Sequence, residues 1–251
     1  MKAAWHGKVP EAIPMVPDEF SYQEFAQRPA VKRLPKTILP LALRLDTTEP
    51  VGVNFDKDDV FILTSESDEQ ANEYAQTVIH AMAGLGNSYE TMLLGSTEDV
   101  QRFGTSMSTS GDLTKYSHII DKIRKEIHLR QQGEHQDSPD MVVYIRDVQQ
   151  LLEVEPLSDE DVEDFFTNSR KLGIHVIVCV DRKALETQFS PAINLLKTNF
   201  KTGIVGARMT DFSLIDVGYI QNEEFPTINE GYYMNGRRYA KVRVAKANSE
   251  E

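Results

Sequence analysis

Two rhythms of apolar residues run along this chain. Residues 38–45, 51–55 and 60–64 are short runs rich in Ile, Leu, Val and Phe, the pattern of strands buried in a sheet. From Asp68 to Ala83 the rhythm changes, with Ala71, Tyr74, Ala75, Val78, Ile79 and Met82 three and four apart, which predicts a helix with one buried face. Strand 91–95 follows, then a long helix over 112–130 carrying Leu113, Tyr116, Ile119, Ile120, Ile123 and Ile127, then strand 141–145. The next helix has legible ends: Ser158 with Asp161 predicts a capping box, Val162, Phe165, Phe166 and Leu172 its apolar side, and Gly173 after Arg170 and Lys171 its stop. Strands over 174–180 and 202–207 complete the alternation, and Asn235-Gly236 predicts a hairpin turn between 232–234 and 239–244.

Strands separated by helices of ten or more residues need crossover connections, so the pattern predicts an α/β fold. Its sheet should be mainly parallel, covered by helices on both faces, with a C-terminal hairpin. A short helix is expected over 21–27. Pro10, Pro14 and Pro17 make residues 1–20 a proline-rich entry linker, because proline fixes φ and removes an amide donor. The domain is then expected over 21–246, with a tail at 247–251.

At 251 residues and 40% hydrophobic composition, one domain can bury a full core without disulfides or metal. The 27 basic and 39 acidic residues leave a net charge of −12, which repels a phosphate backbone and disfavours nucleic acid as a partner. The single cysteine, Cys179, cannot form an internal disulfide and suits a reducing cytosol. No apolar run approaches the roughly 18 residues of a membrane helix, and the N-terminus lacks a charged-then-apolar signal pattern. Residues 153–164 hold seven carboxylates in twelve positions, which suits either a solvated helix start or a docking patch for a basic partner. His175 and Cys179 share one face of a strand, and the remaining histidines, His6, His80, His118, His128 and His135, show no metal-ligand spacing. Core packing is expected of Cys179 and a structural hydrogen bond of His175, with no metal. Tyr232, Tyr233, Met234 and Tyr239 at the hairpin suit sheet packing, or a partner surface where exposed.

The order of elements, together with the strings IPMVPDEF at 13–20, LGIHVIVCVDR at 172–182 and LLKTNFKTGIV at 195–205, resembles FtsK/SpoIIIE-type P-loop ATPases. The resemblance covers nearly the whole chain and is most specific to the C-terminal (third) ATPase domain of the EssC/EccC family of type VII secretion coupling proteins. It implies a RecA-like fold at the cytoplasmic face of a membrane-anchored secretion motor, a neighbouring ATPase domain and a ring oligomer of the full-length protein. As partners it implies WXG100-type secreted substrates or adaptors.

The departures from the family pattern carry the functional expectation. Where the family has GxxxxGK[ST], this chain has Ser65, Glu66, Ser67, Asp68, Glu69, Gln70, Ala71 and Asn72. A P-loop needs glycine amides to wrap phosphates, lysine to neutralise them and a hydroxyl for magnesium. Here Ala71 has no charge, Glu66, Asp68 and Glu69 oppose an anion at the helix N-terminus, and Ser67 with Gln70 predicts an ordinary capping box. The family's Asp-Glu strand end corresponds to Arg146 and Asp147, expected to form a local ion pair, and its glutamine sensor to Asp181, after Val180. The chain is therefore expected to be a degenerate ATPase-like domain with no catalytic residues and no cofactor, ATP and magnesium entering only through residual binding. Its role would be substrate or adaptor recognition. The alternatives are a nucleotide-binding or active motor domain, and a purely regulatory domain acting on neighbouring ATPase domains.

Overall fold

A computed structural model describes residues 15–95, 108–110, 113–135, 137–154, 157–218 and 220–247. The first strands are β1 (Ile38–Arg44), β2 (Pro50–Asn54), β3 (Val60–Ser65), β4 (Tyr89–Leu94) and β5 (Ser108–Ser110). They are followed by β6 (Asp140–Ile145), β7 (Ile174–Asp181), β8 (Thr202–Val205), β9 (Glu230–Asn235) and β10 (Arg238–Val244). All ten lie in one sheet in the order β2-β1-β10-β9-β8-β3-β7-β6-β4-β5.

From β8 to β5 every pairing is parallel, as the crossover argument requires. From β2 to β8 every pairing is antiparallel. The sheet is therefore mixed, and the expected C-terminal hairpin is one part of a larger antiparallel flank. Strands β1 and β2 join it because the turn between them is short enough for direct antiparallel return. The hairpin loop itself is Gly236-Arg237, with Asn235 still paired to Arg238. Of the two loop residues only Gly236 has a positive φ, 63°, so the turn is of the II′ kind rather than one centred on Asn235-Gly236.

Alternate residues of the central strands feed two cores. On one face Phe61, Leu63, Tyr144, Ile177 and Cys179 meet the buried side of helix Asp68–Ala83, whose six expected core residues are all buried. On the other face Ile62, Val143, Val176 and Val178 meet helix Leu113–Gln131 and the helical segments from Val148 to Asn199. The expected single helix after Ser158 is three joined pieces: α-helix Asp159–Glu163, a π-turn over Asp164–Asn168 and a 3-10 turn over Ser169–Leu172. Its predicted ends hold, with the Ser158 box formed and Gly173 at φ 69°. Among the described residues no helix is long and apolar enough to cross a membrane. The expected linker lies mostly outside the described residues; within them Phe20 is buried against Phe25, and the Tyr22 N–H donates to the Lys246 carbonyl at 2.6 Å.

Helix Asp68–Ala83 is also tied to the antiparallel flank by three side chains on one face. Gln70 Nε2 donates to the carbonyls of Thr227 and Glu230, each at 3.4 Å, Tyr74 donates to the Glu230 carbonyl at 2.5 Å, and Thr77 donates to that of Ala245.

Candidate functional site

A cleft of about 580 Å³ opens at the carboxyl ends of β3, β6 and β7, where open α/β sheets hold their ligands. It is lined by Ser65, Glu66, Ser67, Asp68 and Ala71 from the turn after β3, by Arg146, Asp147 and Gln149 after β6, and by Cys179, Val180 and Asp181 at the end of β7. The three segments that depart from the family pattern, 65–72, 146–147 and 180–181, thus converge on one place. Of the remaining loop residues, Gln70 is buried beneath the turn and Glu69 is exposed outside it.

Two amides of the turn are satisfied within it. Ser67 caps the helix by accepting from the Gln70 N–H at 3.2 Å. The return bond of a capping box falls one residue earlier than expected, because Gln70 Oε1 accepts from the Glu66 N–H at 3.0 Å. The Glu66 carboxylate in turn meets Arg182, whose Nη1 also donates to Glu186 at 2.5 Å and to the Asp211 carbonyl at 3.3 Å. Arg182 is only 14% exposed; burial works against its charge, but Glu66 and Glu186 together raise its pKa further. Sequence reasoning missed Arg182, although its place directly after Asp181 at a strand end was a usable signal.

On the other wall Arg146 and Asp147, expected to pair with each other, hold other groups. Arg146 Nη2 donates to Asn72 Oδ1 at 2.7 Å, bridging to the second turn of the helix. Asp147 Oδ1 accepts from the N–H groups of Gln149 and Gln150 at 2.9 and 3.1 Å, capping helix Val148–Val154. Asp181 does the same for helix Arg182–Thr187, accepting from the Ala184 N–H at 2.9 Å. Burial pushes the Cys179 thiol up to about 11, which keeps it a protonated core residue. Among the described residues no three His, Cys, Asp or Glu side chains converge as a metal ion would require.

His175 lies at the opposite end of β7. Its ring stacks on Phe55 at 4.5 Å and meets the edge of Tyr89, with the nearest carboxylate oxygen, Asp140 Oδ2, 3.6 Å from Nε2. Aromatic packing, more than the expected hydrogen bond, holds it. Burial pushes its pKa down against the pull of Asp140, so the folded state favours neutral imidazole. The stability this contributes is complete above the unfolded value of about 6.5 and is lost as the pH falls from there towards the lower folded value. Replacing His175 by Gln is expected to flatten the dependence of Tm on pH in that interval, read by thermal melts between about pH 7 and about pH 5. An unchanged slope would assign the dependence to other groups.

No family model matches the chain. Over 98% of its length it is 20% identical to the type VII secretion system protein EssC of Staphylococcus aureus strain NCTC 8325 / PS 47, of which it spans 17%. Against EssC of strain MRSA252 the identity is 18% over 97% of the chain. Among solved structures it is similar to EssC (ATPases 2 and 3) from Geobacillus thermodenitrificans, with a TM-score of 0.79 and 17% identity, covering 94% of this chain and 46% of that one. Thermomonospora curvata EccC (ATPases 2 and 3), solved in complex with a signal sequence peptide, gives a TM-score of 0.72 and 16% identity over 98% of this chain and 46% of that one. The RecA-like α/β fold expected from the sequence is the fold of these neighbours, and the likeness to EssC/EccC ATPase domains runs the length of the chain.

Proposed function

We propose that this chain, with its likeness to the ATPase domains of type VII secretion coupling proteins, is a non-hydrolysing member of such a motor that docks export substrates or their adaptors. The observation that carries the reading is the fate of Glu66. Its N–H, in the turn where a phosphate would sit, is bonded to Gln70, and its carboxylate is held by Arg182. A triphosphate entering there would meet carboxylates at a helix N-terminus and find no lysine. Asp147 and Asp181 each cap a following helix through Oδ1, which gives both a structural task in this chain. Recognition of an exported segment is supported by the relative whose structure carries a signal sequence peptide.

The purified chain is expected to show no magnesium-dependent ATP turnover above buffer, with or without Asp147→Asn. Turnover that disappears in Asp147→Asn would overturn the non-hydrolysing part of the proposal. The docking part is tested by calorimetric titration of the chain with its cognate export substrate, without nucleotide. Saturable binding is expected, and its absence would count against docking.

A further inference from the structure

The hairpin loop projects from the antiparallel flank beside a second cleft, of about 530 Å³, lined by Arg44, Tyr233, Asn235, Arg237, Arg238 and Tyr239 among others. Of the four hairpin residues expected to pack in the sheet, Tyr232 and Met234 are buried and Tyr233 is half-buried, whereas Tyr239 is 38% exposed. Arg237 and Arg238 are both exposed. Arg44 is engaged, with Nε and Nη2 donating to Asp46 at 3.0 and 2.6 Å. Arg237 and Arg238 are not: among the described residues neither side chain has a hydrogen bond or an ion pair.

On a chain of net charge −12, with carboxylates to spare, two adjacent arginines without an acidic partner are a local reversal of sign. Guanidinium groups offer paired donors that match carboxylates in a fork, and flanking tyrosines supply contact area at low entropic cost. We infer that this cleft is an interaction surface for an acidic peptide segment of a partner protein, its carboxylates taken by Arg237 and Arg238 and its backbone laid along Tyr239. The inference rests on the docking role proposed above and locates the docked chemistry away from the degenerate nucleotide cleft.

The test uses the full chain and a fluorescein-labelled heptaglutamate peptide, with heptaglutamine as the neutral control, read by anisotropy. Saturable heptaglutamate binding is expected, weakening as salt rises from about 50 to about 300 mM, since exposed charge pairs are screened. The double variant Arg237→Glu, Arg238→Glu should weaken it by about tenfold or more, and the double Lys variant by less, because lysine keeps the charge but not the fork. Equal binding of heptaglutamine, or an affinity untouched by the Glu variant, would overturn the inference. The same Glu variant titrated with the cognate export substrate separates the two proposals. If wild type binds the substrate and the variant binds it equally well, the cleft is refuted and docking stands; if wild type does not bind it at all, docking itself fails.

Discussion

Gly203→Ala will destabilise the domain by about 3 kcal/mol, because the added methyl has nowhere to go. A Cβ there would lie 2.0 Å from the Ile62 carbonyl oxygen and 3.1 Å from Cε2 of Phe200. Gly203 is the register partner of Ile62, at the junction of β8 with β3, and a ladder carbonyl cannot turn aside as a side chain would. The urea midpoint should fall accordingly with the slope unchanged. The comparison is Gly86→Ala. Gly86 has a positive φ of 61°, but a methyl added there would meet nothing within 4 Å, so the loss should be about 1 kcal/mol, the cost of the left-handed conformation alone. Equal losses at the two sites would refute close approach as the cause.

Glu230→Ala should cost about 3 to 5 kcal/mol, the scale expected when one member of a buried ion pair is removed. Glu230 is 5% exposed and receives Arg243 Nη2 at 2.6 Å and Lys241 Nζ at 3.3 Å. Burial alone would raise its carboxyl pKa; the Arg243 hydrogen bond, the Thr227 N–H and the Lys241 charge outweigh burial and hold it below the ordinary 4.5. The stability it contributes is therefore present above about pH 4.5 and is lost as the pH falls through the folded value. This window opens at a lower pH than that of His175, which begins near 6.5. Glu230→Gln should flatten the acid limb below about pH 4.5 and leave the His175 interval alone. Loss of both intervals together would mean that global unfolding, not either group, sets the curve.

The parallel half of the fold was legible because each of its longer elements repeats its signal several times, as with the six buried residues from Ala71 to Met82. The short helix Tyr22–Gln27 was read as well, but other short elements were not. Helix Val148–Val154 has two turns, too few for a period to stand out, and its start is marked only by Asp147, a residue the resemblance had claimed for another role. Helix Pro191–Asn199 did carry a readable start, Ser190 as cap with Pro191 in the first turn. The joining of β1 and β2 to the predicted hairpin escaped because register between β1 and β10, some two hundred residues apart, leaves no local trace. At the site, the three segments that depart from the family pattern lie together, since each sits at a strand end. Sequence reasoning missed the partners: that Gln70 would reach Glu66, and that Arg182 would meet Glu66 and Glu186, depend on side-chain directions fixed only by packing.

The stitching of helix Asp68–Ala83 to the strands beyond it has a mechanical consequence. Here Gln70, Tyr74 and Thr77 fasten three successive turns to the carbonyls of Thr227, Glu230 and Ala245. A push on either end of the helix is then passed through three main-chain carbonyls to the start of β9 and the end of β10.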